Sequence, residues 1–374
     1  MTQYPVRIFV SAGEPSGDLH GAGVVEALRR RYPDALIEGF GGPAMKAAGA
    51  TVLFPMEEYS AMGFVEVIES VPAHLRLLRQ LDRRFRQERY DLVLLIDYPG
   101  FHLRLAASAH ASGARVLYYI PPQLWAWRPG RARRLRGVVD RLAVILPFEK
   151  QAFGELGLSA EFVGHPLVDN APGPGHRDEA RRVLGLPLKA RVLAIFPGSR
   201  KLEVSNHWPR FRDVARQMVD EGRCDQVITA AAPVGEYPDP GLVRIYRGDP
   251  MTVLSAADAV LAKSGTTTLQ TALADTPMIV AYRTHPWTYW IARRLMRVRW
   301  ISLVNLIADR EVVPELEQNA VTVPRMAEEL RPLLDPDDPR TQAQRAGLAL
   351  VRERMGSPGA AGRVAAIASE LIGR

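Results

Sequence analysis

Several short stretches of this chain place acid–base or phosphate-binding side chains directly after an apolar run. Gly13-Glu14-Pro15-Ser16-Gly17-Asp18-Leu19-His20 follows residues 6–12, and Asp97-Tyr98-Pro99-Gly100-Phe101-His102 closes the run 92–97. In open parallel sheets ligands bind beyond the carboxyl ends of the strands, so such residues face the reaction zone. Asp97, held at a strand end and followed by Pro, is positioned to take a proton from an attacking hydroxyl once partial desolvation raises its pKa. The alternative is a helix-capping Asp. Glu14 and His20 are the other candidate bases. Ser16 and Gly17 open a helix whose N-terminal N–H groups suit an anionic ligand. The alternative is a tight strand-to-helix turn in which Glu14, Ser16 and Asp18 only cap. The G-x-G-x-x-G spacing of a dinucleotide site is absent.

The second half repeats the pattern. Phe196-Pro197-Gly198-Ser199-Arg200 precedes a helical stretch, and Arg200 suits bidentate contact with a diphosphate, helped by Ser199 and backbone donors; otherwise it is a surface arginine beside a turn. Lys263-Ser264-Gly265-Thr266-Thr267-Thr268-Leu269-Gln270 gives a second small-residue helix start suited to phosphate. In Pro121-Pro122-Gln123-Leu124-Trp125-Ala126-Trp127 the two indoles suit sugar stacking, a lipid interface or core packing. The histidines show no zinc spacing, and Asp335-Pro336-Asp337-Asp338 reads as a solvated loop, so no metal is expected.

The elements that must hold these residues read as α/β. Apolar runs at 6–12, 35–40, 92–97, 115–120 and 141–146 alternate with amphipathic stretches, as in parallel sheets covered on both faces. A breaker-rich linker at 169–175 follows, and the alternation restarts with strands at 192–196, 226–231, 259–262 and 278–282. Two Rossmann-like doubly wound domains are expected, 1–168 and 176–339, with helices over 340–374 crossing back to the first. Cys224 is the single cysteine, which excludes an intrachain disulfide and suits core packing. The run of residues at the start of the chain enters a strand pattern at once, and no apolar run reaches the length of a spanning helix, so a cytoplasmic protein is expected. A formal charge of +7 favours an anionic partner unless it reflects compositional bias. No nucleic-acid-binding signature accompanies it.

Together these segments resemble the lipid-A-disaccharide synthase family, two-domain nucleotide-sugar glycosyltransferases. Further matches are Met62-Gly63-Phe64-Val65-Glu66-Val67, Leu146-Pro147-Phe148-Glu149, Phe162-Val163-Gly164-His165-Pro166 and Asn305-Leu306-Ile307. The resemblance implies a GT-B fold of two domains facing a cleft, an acceptor-binding first domain and a UDP-sugar-binding second. It implies transfer from UDP-2,3-diacylglucosamine to the 6-hydroxyl of 2,3-diacylglucosamine 1-phosphate with inversion, without a cofactor. Asp97 matches the family's base and Arg200 the residue nearest the diphosphate; Ser264, Gly265 and Thr266 would meet phosphate, and Asn305 joins the substrate-binding set. Two departures stand out. The family commonly has Glu at Gln270, where a carboxylate would accept from the ribose hydroxyls, and often Asn at His102. His102 is then an added proton acceptor or a surface residue, the latter being expected. The rivals are a UDP-sugar 2-epimerase of the same fold and a non-catalytic nucleotide-sugar binding protein.

Phe64, Val65, Val67, Ile68, Val71, Leu75 and Leu78 recur at helical spacing beside Arg76, Arg79, Arg83 and Arg84. This stripe is expected to dock on an anionic inner-membrane surface, the alternative being a core helix. The partners expected are thus the two lipid monosaccharides and that surface, with a homodimer as an option and no nucleic acid.

Overall fold

The computed structural model describes residues 5–59, 64–127, 129–232, 235–296 and 298–373, and for 64–70, 127, 129, 131 and 292 the backbone only. The chain divides into two compact units, 1–169 with 357–374, and 170–356.

The first unit is built on seven parallel strands: β1 (Arg7–Ala12), β2 (Leu36–Gly41), β3 (Thr51–Pro55), β4 (Leu92–Ile96), β5 (Arg115–Tyr119), β6 (Arg141–Val144) and β7 (Ala160–Phe162). Their order is β3-β2-β1-β4-β5-β6-β7. The central strands are apolar throughout because both faces are covered. Ile8, Val10, Leu92, Leu94 and Ile96 pack in one core with helices Pro15–Arg31 and Ala360–Ile372. Phe9, Val93 and Leu95 point into the other, under helices Phe64–Gln87 and Pro99–Ala111.

The second unit repeats the design with β8 (Val192–Phe196), β9 (Gln226–Ala230), β10 (Val243–Tyr246), β11 (Ala259–Lys263), β12 (Met278–Tyr282) and β13 (Glu315–Glu317), ordered β10-β9-β8-β11-β12-β13. All its pairings are parallel. One face carries helices Lys201–Asp220 and Val323–Leu333, and Cys224 lies in that core as expected. Asp338, in the acidic stretch, caps helix Pro339–Arg354 by accepting from Arg340 N. Of the helices expected to cross back onto the first domain, only Ala360–Ile372 does so; Pro339–Arg354 packs in the second unit.

In both sheets the strand order reverses beside the first strand, between β1 and β4 and between β8 and β11. Crossovers leave to opposite sides there, opening a crevice beyond the carboxyl ends where a ligand can sit.

The 64–78 stripe divides. Helix Phe64–Gln87 spans it, but its inner face is made by Leu77, Leu81 and Phe85, all buried, with Leu78 packed beside them. Leu78 is therefore core rather than a docking residue, and Arg84 is committed to Glu38 and Tyr90. Val71 and Leu75 are exposed. The side chains of Phe64, Val65, Val67 and Ile68 lie outside the described residues, as do Met62 and Gly63.

Candidate active site

At the crevice of the first sheet, β1 leads into Gly13-Glu14 and β4 into Asp97-Tyr98. Asp97 (φ 51°) and Tyr98 (φ 50°) are both left-handed, and Ile120, just after β5, has φ 56°. Bulky residues there cost roughly 1–3 kcal/mol each and persist only where their surroundings hold them. For Asp97 the holders are visible. Its backbone N–H donates to Tyr119 O at 3.0 Å, and its carbonyl accepts from Tyr118 Oη at 2.8 Å and His102 Nδ1 at 2.7 Å. Since a carbonyl only accepts, Nδ1 carries the proton, and His102 Nε2 accepts from Ser11 Oγ at 2.8 Å. His102 is fully buried, and burial lowers its pKa to about 4, so it stays neutral. It is neither a surface residue nor a proton acceptor for substrate; it clamps the Asp97 peptide to β1.

The Asp97 carboxyl is raised to about 6, first by burial and then by the nearby charge of Glu14. The structure thus brings together two of the three candidate bases. His20 is set against Tyr119, whose carbonyl takes the Asp97 N–H: its ring lies 6.2 Å from that of Tyr119, burial lowers its pKa against the pull of Asp169, and it faces His165, itself lowered to about 4 by burial and by His20. Gly13 is obligatory because the Tyr98 ring lies on it; a Cβ would meet that ring at 2.3 Å. The Tyr98 hydroxyl bonds His74 Nε2, tying the loop to helix Phe64–Gln87. Ser16 is exposed and Gly17 buried. Asp18 is a cap after all, but of another helix: its buried carboxylate accepts from Gly42, Ala44 and Met45 N at 2.8–3.1 Å. Trp125 packs against Phe148 and donates from Nε1 to the buried Glu149; the side chain of Trp127 lies outside the described residues.

At the crevice of the second sheet, Ser199 and Arg200 are exposed after β8. Their backbone N–H groups do not face a vacant phosphate position. Glu203 Oε2 accepts from both, at 3.1 and 3.4 Å, while its Oε1 meets Lys263 Nζ at 2.8 Å. Burial pushes the Glu203 carboxyl up, but Lys263 and these donors outweigh it and hold the pKa below the ordinary value. Gly198 (φ 134°) permits the turn, where a Cβ would strike Glu203. What this edge leaves exposed is Arg200, beside the neighbouring loop. There Gly265 heads helix Thr266–Leu273 with no side-chain cap, and Thr266 is exposed. Gln270 is half-buried on the same helix.

Ser264 donates from Oγ to Ile301 O at 2.8 Å, which mounts the Gly265 turn on a scaffold. Glu315 accepts from Ile301 and Ser302 N, and Asn305 braces it. Asn305 is fully buried and its amide is spent: Nδ2 donates to Val313 O and Glu315, and Oδ1 accepts from Val312 and Val313 N. It is thus a scaffold residue with no capacity left for substrate. A second buried histidine stands behind this site. His207 donates from Nδ1 to Glu203 O and accepts Arg283 N–H at Nε2, 2.9 Å away. Lys263 belongs to the motif 263–270; Glu203 sits three residues after Arg200, where an acid reaches back to the start of its own helix, but its pairing with Lys263 and the contact of His207 with Arg283 join distant segments and carry no sequence signal.

Residues 8–357 match the family model described as Lipid-A-disaccharide synthetase. The lipid-A-disaccharide synthase of Myxococcus xanthus (strain DK1622) is 40% identical over 376 residues, covering 98% of each chain. Among solved structures, the calicheamicin glycosyltransferase CalG4 is similar with a TM-score of 0.61 and 17% identity, over 100% of this chain and 99% of that one. The UDP-GlcNAc 2-epimerase from Neisseria meningitidis bound to UDP-GlcNAc gives 0.61 at 9% identity, over 98% and 99%. At such identities the two structures speak for the fold alone, two Rossmann-like domains of GT-B type. The family match and the relative span nearly the whole chain, and this chain belongs to the lipid-A-disaccharide synthase family of glycosyltransferases.

Proposed function

We propose that this enzyme transfers the sugar of UDP-2,3-diacylglucosamine to the 6-hydroxyl of 2,3-diacylglucosamine 1-phosphate, with the acceptor on the first unit and the UDP moiety on the second. The observation that carries this is Asp97: a carboxyl raised to about 6, fixed in left-handed backbone at the switch point of the first sheet. A base in that range is ionised at neutral pH yet accepts a proton more readily than an ordinary carboxylate. Asp97 takes the proton of the acceptor hydroxyl as its oxygen attacks the anomeric carbon. The bond from that carbon to the diphosphate breaks with its electron pair, which leaves on UDP, and the α-linked donor gives a β-1,6 product.

The charge developing on the leaving diphosphate meets the Arg200 guanidinium and the uncapped N-terminus of helix Thr266–Leu273. Ser264 and Asn305 serve by holding that turn, and Gln270 offers a single amide oxygen to the ribose. No step calls for a metal. We further propose that the exposed Val71 and Leu75, with Phe64, Val65, Val67 and Ile68 before them, rest the first unit on an anionic membrane.

The test is mass spectrometry of the product formed from the two lipid monosaccharides in chelator-containing buffer. The expected result is a tetraacyl disaccharide monophosphate, with UDP released only when the acceptor is present. A strict requirement for added Mg2+ would remove the metal-free part. Sugar epimerisation without net UDP release would replace the reading by its rival.

A further inference from the structure

Helix Pro286–Leu295 of the second unit turns almost every described side chain outward. Trp287 is 70% exposed, Trp290 48%, Ile291 51% and Leu295 46%, a concentration of large apolar surface unmatched elsewhere among the described residues. At about 100° per residue, positions 287, 290, 291 and 295 fall on one face. Tyr289 falls on the opposite face and is the anchor, its hydroxyl donating to Glu317 Oε2 at 2.6 Å. The segment leading into the helix is equally fixed: His207 accepts Arg283 N–H, and the Gln318 amide bonds Thr284 N and O at 2.8 and 3.0 Å. The apolar face is therefore held outward by a rigid mount. It follows β12, at the same carboxyl edge of the sheet as Arg200 and Gly265.

The charge around it selects the partner. Residues 283–300 contain five arginines and no acid. Arg293 and Arg294 are exposed in the last turn, and the Arg294 guanidinium lies 3.9 Å from the centre of the Trp290 ring, with Arg299 over Trp300 at 4.7 Å. Indole rings that present apolar bodies beside cations suit the headgroup level of a bilayer, and arginine suits lipid phosphate. A second copy of this chain fits poorly, because a two-fold contact would set arginine-rich faces against each other.

We infer that helix Pro286–Leu295 is a membrane-docking element of the second unit, which lays Trp287, Trp290, Ile291 and Leu295 into the interface of an anionic phospholipid bilayer. This docking does not depend on the catalytic reading, since it is measured without turnover.

The test uses the full chain and vesicles of phosphatidylcholine with and without phosphatidylglycerol. Replacing Trp287, Trp290 and Ile291 together by Ser should leave thermal unfolding unchanged and weaken partition to the anionic vesicles by about tenfold or more. Arg293→Gln with Arg294→Gln should weaken it less and flatten its salt dependence. Brominated acyl chains should quench wild-type tryptophan fluorescence, and Trp287→Phe with Trp290→Phe should abolish most of that quenching while keeping the binding; this arm stands even if the Ser variant unfolds. Val71→Ser with Leu75→Ser, measured in parallel, separates this face from the helix of the first unit. Wild-type binding in the triple variant would overturn the inference. So would loss of self-association in that variant with vesicle binding intact, which would mark a contact between copies.

Discussion

Beyond β1 and β4 the group proposed to react is a side chain, half-buried beside another acid and carried on backbone that only its hydrogen bonds keep left-handed. Beyond β8 and β11 the groups proposed to bind are an exposed guanidinium and an uncapped helix N-terminus, with the nearby carboxylate neutralised by Lys263. The same topological position thus serves opposite electrostatic ends. A base needs its charged form made costly, and burial does that. A diphosphate site needs positive potential that stays accessible, and exposure does that. Behind each loop stands a buried neutral histidine with the same hydrogen-bonding sense, Nδ1 donating to a carbonyl and Nε2 accepting. Scaffold chemistry is shared where the presented chemistry is not.

The comparison breaks first at Asp97. Asp97→Asn removes the base and should lower turnover by about 10²-fold or more. It should also raise thermal stability at neutral pH: a carboxyl whose folded pKa is about 6 against an ordinary 3.8 costs about 2–3 kcal/mol once ionised, and Asn tolerates left-handed backbone well. A turnover loss accompanied by a lower Tm would make Asp97 a structural residue instead.

Arg200→Ala should weaken UDP binding by about tenfold to a hundredfold, the range of a lost charge-assisted contact, with Tm unchanged because Arg200 is exposed. Calorimetry with UDP reads it.

His102→Ala should destabilise the fold by about 2–4 kcal/mol by opening a cavity, orphaning the Ser11 hydroxyl and leaving the Asp97 carbonyl with Tyr118 alone. It should lower kcat about tenfold with little change in UDP affinity, and His102→Asn should restore part of both. The histidine also sets a pH dependence. Its folded pKa of about 4 lies below the ordinary 6.5, so the stability it confers is complete above pH 6.5 and is lost as pH falls toward 4. Unfolding curves across that window should steepen less in His102→Asn than in the wild type.

The smallest effect sharpens the comparison most finely. Glu14→Gln removes one charge that raises Asp97, and should move the acid limb of the kcat/KM profile below its expected midpoint of about 6 by less than one pH unit. An unmoved limb would assign the shift to burial alone.

How much of this was legible follows the layers of the fold. The central strands were readable because both faces are covered and their apolar runs are continuous. β3, β7, β10 and β13 were missed, and they are the four edge strands, short and only partly buried. Asp97, Arg200 and the Gly265 turn could be singled out because glycine, proline and a charged residue directly follow a strand. His102 was misread as a surface residue and Asn305 as a substrate contact, for one reason: their partners, Ser11 and Glu315, come from other segments, and nothing in a local motif shows burial. The stripe at 64–78 mixed two surfaces because Val71 and Leu78 lie on nearly the same helix face, and the period does not show that the core reaches Leu78 while Val71 stays exposed. Nothing in the sequence sets the exposed helix at 286–295 apart, since its apolar residues resemble those of any amphipathic helix until their burial is known.

The central claim is that chemistry and binding are divided between the two crevices. Its most direct test is to measure, on the same preparations of Asp97→Asn and Arg200→Ala, the single-turnover rate at saturating donor and the Kd for UDP. The account predicts that Asp97→Asn lowers the rate by about 10²-fold or more while UDP Kd stays within about twofold, and that Arg200→Ala weakens UDP binding by at least about tenfold. An Asp97→Asn enzyme that keeps most of its rate, or that loses UDP affinity as strongly as Arg200→Ala does, would contradict it.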